Sequence, residues 1–174
     1  MVTPMVARLV RDPFDREGWF FELKWDGFRA IAEMDGQGAV KLYSRNQNDF
    51  KKRFPPIADA LAEIGRPTIL DGEIVALDEE GHPRFEWLVN RGPQRGTLVY
   101  YVFDLLMLDG KDLRHLPLMK RKQRLGRLLT GHRGFWKSNT SKTTAYRCSP
   151  VQWPSGWKVW LRKMPRVPMS KDQP

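Results

Sequence analysis

The sequence predicts an α+β fold in which twisted antiparallel strands are flanked by helices. Several segments alternate apolar and polar residues with period two, and two others place apolar residues at the 3.6-residue spacing of a helix. Glycine, proline and aspartate separate these segments, as expected of turns. The 174 residues are enough for one domain with a buried core, or for part of a larger one.

The first strands are predicted within residues 19–44. Residues 19–34 resemble two strands broken at Asp26 and Gly27, and the second places alternate apolar residues on one face. A turn at residues 35–38 precedes a further strand at 39–44, whose inward residues would be Val40 and Leu42. These three strands predict a β-meander and therefore an antiparallel sheet.

Helical spacing begins after residue 50. Apolar residues recur from Phe54 to Ile64, Pro55 and Pro56 suit a first turn, and Gly65 is a plausible stop. Two apolar segments, 68–77 and 98–106, predict strands with at least one buried face. A short helix is predicted over 85–90, and a second amphipathic helix follows residue 117.

The positive charge is concentrated near the C-terminal end of the sequence. Of the 30 lysines and arginines, nine lie in residues 131–174, together with only one of the 20 acids, so the first 130 residues are nearly neutral. The same segment holds four of seven tryptophans and five of 13 prolines, and it shows neither period. We therefore predict a partial domain at 1–130 and an irregular, basic, Trp/Pro-rich tail at 131–174.

Other composition features exclude some classes of protein. No run of 18 apolar residues suggests a membrane span, and residues near the N-terminus are charged where a signal peptide would be apolar. The single cysteine, Cys148, can form no intrachain disulfide and has no cysteine or clustered histidine partners for a metal. An intracellular, cytoplasmic protein is expected, without a membrane partner.

The most informative residue is Lys24, which stands at the end of a predicted strand just before Asp26 and Gly27. A strand that turns at glycine would display this amine as a covalent lysine nucleophile is displayed. The pattern Lys-x-Asp-Gly is weak alone, since a solvated lysine beside a turn would also produce it. Further segments in matching order make the pattern specific.

Four segments, at residues 22–29, 42–46, 70–75 and 101–106, resemble the first four conserved segments of ATP-dependent DNA ligases. Residues 109–122 are similar to the adenylation domain of bacterial end-joining ligases, and the whole resemblance covers about residues 5–130. It implies an ATP-grasp-like nucleotidyltransferase domain, incomplete at its C-terminus. It also implies joining of DNA breaks in repair and recombination through a lysyl-AMP intermediate.

The resemblance assigns roles to individual residues. Lys24 matches the nucleophile that attacks the α-phosphorus of ATP, and nearby cations or burial would have to lower its pKa from about 10.4. The matching nucleotide-binding residues are two arginines for ribose and phosphate, an acid for the ribose hydroxyl, an acid near the adenine amino group and an aromatic stacked on adenine: Arg29, Arg45, Glu73, Glu22 and Phe103. A core position on a strand is the alternative interpretation of Phe103.

The metal expected from the resemblance is Mg²⁺ or Mn²⁺, but the sequence lacks part of the family pattern. The fifth segment, Glu-Gly-x-x-x-Lys, supplies a metal-binding glutamate, whereas the last glutamate here is Glu86. The sixth is a Lys-x-Lys strand, and residues 157–163 resemble it only weakly because they do not keep its spacing. We therefore leave the metal ligands unassigned, and we expect the domain to be truncated or frameshifted near residue 130.

Two alternatives share some of these features. An RNA ligase or mRNA capping guanylyltransferase would use the same lysine chemistry, although residues 101–122 argue against it. A non-catalytic nucleic-acid-binding remnant would act through the basic tail, by stacking and phosphate contacts. For the ligase hypothesis the expected partners are ATP, nicked or broken duplex DNA and an end-binding protein such as Ku.

Overall fold

Two β-sheets and three helices make up the described part of this computed structural model. It describes residues 8–10, 19–90, 96–131, 135–137, 140–142 and 158–163, with side chains for 22–90 and 96–131. In chain order the elements are β1 (Arg8–Val10), β2 (Trp19–Lys24), β3 (Phe28–Asp35), β4 (Val40–Ser44), α1 (Pro55–Ala62), β5 (Pro67–Leu77), α2 (Phe85–Val89), β6 (Thr97–Leu108), β7 (Lys111–Asp112), α3 (Leu118–Leu128), β8 (Phe135–Lys137), β9 (Thr140–Lys142) and β10 (Lys158–Lys163).

The larger sheet has the strand order β4-β3-β5-β6-β7, and β8 pairs in parallel with β6. The smaller sheet has the order β1-β10-β2-β9 and is antiparallel. The α+β prediction is therefore confirmed. The predicted meander is wrong in one respect, because β2 pairs with β9 and β10 and not with β3. Three residues, 25–27, carry the chain from one sheet to the other.

All three helices contribute apolar residues to the core on one face of the larger sheet. Alternate residues of its strands, including Ala30, Leu70 and Leu105, pack there with the apolar residues of the helices in one core cluster. Helix α1 begins at the predicted prolines and contributes Leu61, which is fully buried. Hydrophobic burial holds the helices on this face of the sheet. The opposite face is left for polar and charged side chains.

Strand β6 contains two irregularities in its pairing with β5. Gly72 is opposite Val102, and the preceding Asp71 is opposite Asp104, so Phe103 is an extra residue in a β-bulge. A second shift places Leu106 outside the register in the same way. Each bulge changes the face to which the following residues point, and the first one lies at a predicted site residue.

The described parts of the tail are strands. Strands β8, β9 and β10 all lie within residues 131–174, and β10 pairs with both β1 and β2. The interpretation of that segment as an irregular tail stays a prediction, and Cys148 lies outside the described residues. No helix in the described part of the chain is long and apolar enough to cross a membrane.

Candidate active site

Lys24 is the last residue of β2 and lies where the two sheets meet, half-buried. The turn that follows is anchored by Trp25, whose ring stacks on Tyr101 with the centroids 3.6 Å apart and the planes at 12°. Trp25 also packs with Val75 and Val99 of the larger sheet. These contacts hold the end of β2 against the face that the helices leave uncovered.

Gly27 allows this turn to approach β5 closely. A Cβ atom at this position would lie 2.3 Å from the carbonyl oxygen of Ile74, a distance that real Cβ atoms essentially never show. The Gly27 N–H donates a hydrogen bond to the carboxylate of Glu73. Turn geometry therefore places the backbone after Lys24 directly on the acid predicted to contact ribose.

Arg29 and Asp71 form a bidentate ion pair on the same face. The Arg29 Nε and Nη2 atoms donate to the two carboxylate oxygens of Asp71 at 3.0 and 2.7 Å. Asp71 is fully buried, while the Arg29 side chain keeps 24% of its surface exposed. A guanidinium that is oriented by a carboxylate and keeps part of its surface exposed is suited to bind an incoming phosphate or ribose oxygen.

Glu73 is directly opposite Arg29 in the β3–β5 register. Burial raises the pKa of Glu73 from 4.5 to about 7, although the charges of Lys24 and Arg29 and the Gly27 hydrogen bond lower it, and Asp26 raises it slightly. The Lys24 charge acts on this carboxyl group, so the two groups lie close enough to interact electrostatically. The predicted nucleophile and the predicted ribose acceptor are therefore neighbours.

Phe103 stands in the bulge of β6, with its ring centroid 5.4 Å from the guanidinium carbon of Arg29. It is buried, with 8% of its surface exposed, and it belongs to neither of the two apolar clusters. The bulge gives Phe103 no partner on β5 and turns it toward Arg29. This placement favours the predicted site role over an ordinary core position.

Glu22 reaches the same region through Lys122, which the sequence analysis did not select. The Lys122 ammonium forms an ion pair with the Glu22 carboxylate and donates a hydrogen bond to the Phe103 carbonyl oxygen at 2.7 Å. The neighbouring Arg121 makes a fully buried bidentate pair with Asp104, at 2.8 Å for both bonds. Two adjacent cations of α3 are thus buried against the end of the site.

A signal for both cations exists in the sequence. Leu118, Leu125 and Leu128 mark the buried face of α3, and positions 121 and 122 fall on that face by helical spacing. Charged residues at core positions indicate buried ion pairs, because an isolated buried charge is too costly. The pairing of Asp71 with Arg29 has no such local signal, because the two residues are 42 positions apart in sequence.

The structure brings five of the six predicted residues together, and Arg45 stands apart. It lies in the turn after β4 with an exposed side chain, and among the described residues it has no hydrogen bond or ion pair with the others. Its neighbour Ser44 is opposite Ala30 in the register, so Arg45 stands level with Arg29 at the edge of the sheet. Its role stays a prediction.

Metal ligands are not evident beside Lys24 in the described residues. The described cluster that could hold an ion consists of Asp78, Glu80 and His82, on an outer turn beyond the end of β5. At about 3.3 Å per residue this turn is roughly 15 Å from Glu73 along the chain. Strand β10 adds a basic position at the site, because Lys158 is the register partner of Lys24, although the sequence analysis found no convincing sixth segment there.

Comparison with known proteins identifies similar chains. A family model described as ATP dependent DNA ligase domain matches residues 4–149. The multifunctional non-homologous end joining protein LigD of Pseudomonas aeruginosa is 42% identical over 133 residues, which cover 75% of this chain and 16% of that protein. The SPbeta prophage-derived DNA ligase-like protein LigB of Bacillus subtilis is 36% identical over 135 residues, covering 75% and 48%.

Solved structures give the same result. A mycobacterial DNA ligase D complexed with ATP and MES has a TM-score of 0.70 and 29% identity, covering 98% of this chain and 55% of that one. The ligase domain from M. tuberculosis LigD has a TM-score of 0.60 and 34% identity, covering 71% and 42%. The chain thus spans less than half the length of the two curated relatives. These matches favour the DNA ligase interpretation over both alternatives.

Proposed function

This chain belongs to the family of ATP-dependent DNA ligase domains, and from that premise we propose that it is the adenylation domain of an end-joining DNA ligase, with Lys24 as its nucleophile. The observation that supports this role most directly is the position of the Lys24 amine beside Glu73, on the face that also carries Arg29 and Phe103. An amine, an acceptor, a cation and an aromatic ring are the groups that bound ATP requires.

The first step would join Lys24 to AMP. The neutral amine forms a nitrogen–phosphorus bond with the α-phosphorus of ATP, the bond to the bridging oxygen breaks, and pyrophosphate leaves with its electron pair. The lysine ammonium must first lose one proton, because only the neutral amine has an electron pair for this bond, and the nitrogen loses a second proton to solvent once the bond has formed. Later steps would transfer AMP to a DNA 5′-phosphate and release it when a 3′-hydroxyl attacks.

The other predicted residues would hold the nucleotide. Arg29, already oriented by Asp71, would bind phosphate or ribose oxygens, and the Glu73 carboxyl would accept a hydrogen bond from a ribose hydroxyl. Phe103 would cover a face of adenine, and Glu22 would accept from its amino group. Arg45 would contact the phosphates only when the nucleotide is present.

Mg²⁺ or Mn²⁺ is expected from the family, and when bound it would neutralise phosphate charge. The described carboxylates near Lys24 do not form a metal site: Asp71 is bound to Arg29, and Glu73 is largely buried with a pKa of about 7. We therefore assign the ion no ligand among the described residues. Such ions commonly bind through the phosphates with few protein ligands.

Broken or nicked duplex DNA would be the substrate, in repair and recombination. The name of the Pseudomonas relative places that protein in non-homologous end joining, and an end-binding protein such as Ku is the corresponding partner for this chain. A nucleoid-associated location in the cytoplasm follows from the same proposal.

Covalent labelling tests the proposal. The protein is incubated with α-³²P-labelled ATP and Mg²⁺ or Mn²⁺, denatured and separated on a gel, beside Lys24→Ala and the exposed-lysine control Lys52→Ala. We expect label on the wild type and on Lys52→Ala, and none on Lys24→Ala. An unlabelled wild type, or label that persists in Lys24→Ala, would overturn the proposal.

A further inference from the structure

A single buried amine connects two groups that lie at the far end of the site. Lys122 is 4% exposed, and its ammonium contacts both the carboxylate of Glu22 and the carbonyl oxygen of Phe103. Glu22 belongs to the smaller sheet, Phe103 to the larger one, and Lys122 to α3. The amine therefore fixes the distance between a strand of each sheet.

The helix that carries Lys122 is itself held in place. Arg121 forms two 2.8 Å hydrogen bonds with the carboxylate of Asp104, and its Nη1 atom donates to the carbonyl oxygen of Leu116 at 2.5 Å. Arg121 is 1% exposed and Asp104 fully buried. Because this planar pair is rigid, the base of the Lys122 side chain is held next to the bulge at Phe103.

We propose that Lys122 is a positioning residue for purine selection, which holds the Glu22 carboxylate and the Phe103 backbone so that the site accepts adenine and rejects guanine. The inference rests on the proposed function, since it takes Glu22 and Phe103 as the groups that receive the base. Lys122 acts through these two residues and does not itself touch the nucleotide.

The chemistry of the two purines explains why the orientation of Glu22 decides the preference. At C6 adenine carries an amino group that donates hydrogen bonds, whereas guanine carries an oxygen that only accepts them. An ionised carboxylate offers about four acceptor positions and no donor. Pairing with Lys122 fixes the direction in which Glu22 presents its oxygens, and a guanine oxygen facing them would meet a second acceptor at a buried position.

The test compares ATP with GTP as labelling substrates for the wild type and Lys122→Met. Methionine keeps a long unbranched side chain and removes the charge and the donors. We expect the ratio of kcat/KM for ATP to that for GTP to fall by at least about tenfold, mostly through a higher KM for ATP. The exposed neighbour Lys120, changed to methionine, is the matched control and should keep the wild-type ratio.

The result would be different if Lys122 only stabilised the fold. It would lower the stability of Lys122→Met without changing the ATP to GTP ratio, which does not depend on the folded fraction. An unchanged ratio would therefore overturn the inference. If Lys122→Met does not fold, Lys122→Gln replaces it, because glutamine keeps a polar side chain but removes the charge. The same fall in the ratio is expected, and a retained preference overturns the inference.

The two proposals fail in distinguishable ways. A wild-type chain that is labelled by neither nucleotide contradicts the adenylation function, and the inference fails with it. A wild-type chain that is labelled by ATP, with a folded Lys122 variant that keeps the wild-type ratio, leaves the adenylation function intact and removes only the role of Lys122.

Discussion

The two faces of the larger sheet are built from the same strands but by different physical means. The face under the helices is lined by apolar side chains such as Ala32, Leu70 and Ile74, which are fully buried. The opposite face carries Arg29, Asp71 and further charged groups on alternate residues of those strands. One face is held by hydrophobic burial, and the other by specific pairs.

The charged face shows how a polar site is kept stable inside a fold. Asp71 and Asp104 are opposite each other in the β5–β6 register, where like charges are unfavourable. Each has its own bidentate arginine, Arg29 on β3 and Arg121 on α3. These two ion pairs neutralise the buried acids, and the first presents the exposed part of Arg29 to the site.

The largest expected effect on stability comes from the helix-covered face. Leu70→Ala removes a fully buried side chain from the core cluster, so we expect the free energy of unfolding to fall by about 2–5 kcal/mol. Urea unfolding followed by circular dichroism measures the change. Below the transition, labelling by ATP per folded molecule should equal that of the wild type.

Lys24→Ala, on the site face, should abolish labelling and have little effect on stability, which is the reverse of Leu70→Ala. The side chain is half-buried and belongs to neither apolar cluster, so its removal should cost no more than about 1 kcal/mol while labelling disappears. The comparison of the two faces would be wrong if Leu70→Ala lost labelling while folded, or if Lys24→Ala were the more destabilising change.

Glu73 gives the site face a dependence on pH. Its pKa is 4.5 in the unfolded chain and about 7 in the fold, so between these values the folded protein holds a proton that the unfolded chain releases. The free energy of unfolding therefore falls as pH rises from 4.5 to 7, by about 3 kcal/mol for this group. Glu73→Gln should lack this part of the slope.

Urea titrations at several pH values measure that slope for the wild type and Glu73→Gln, and the difference between them isolates Glu73 from other carboxyl groups. The exposed Glu63 at the end of α1 provides a control, since Glu63→Gln should keep the wild-type slope. Equal slopes for the wild type and Glu73→Gln would show that this carboxyl is not buried as the structure has it.

Most of the helix-covered face could be predicted from the sequence, because its signals are local. The alternation from Phe28 to Met34, the helical spacing from Phe54 to Ile64 and the turn residues each act within a few residues of chain. The pairing of β2 could not be predicted in this way. A strand followed by a tight turn normally forms a hairpin, and only the partners β9 and β10, distant in sequence, place it in the other sheet.

Most of the site residues could be predicted, since their segments resemble a known family. The bulge and the ion pairs that join these residues could not. The bulge at Phe103 leaves no trace in a strand whose residues 99–106 are nearly all apolar, because there is no alternation to interrupt. The pairing of Arg29 with Asp71 joins residues 42 apart in sequence. Only Arg121 and Lys122 could have been found, as charges at core positions of α3.

Arg45→Ala should have the smallest effect on stability of these substitutions. It also separates binding from stability most clearly, because only nucleotide binding should change. The side chain is exposed and has no ion pair within the described residues, so the free energy of unfolding should not change measurably. Its position level with Arg29 at the sheet edge would let it reach a bound phosphate. We therefore expect the ATP concentration for half-maximal labelling to rise roughly fivefold, about 1 kcal/mol.

Lys41 provides the matched control for this substitution, because it is an exposed cation on the same strand, opposite Glu33 and farther from the site. Lys41→Ala should leave both the unfolding free energy and the half-maximal ATP concentration at wild-type values. If Arg45→Ala also left the ATP concentration unchanged, the site would end at Arg29, and β4 would serve only the fold. A rise confined to Arg45→Ala would instead extend the site to the edge of the sheet, where a cation without a fixed carboxylate partner can follow the phosphates as they move during the reaction.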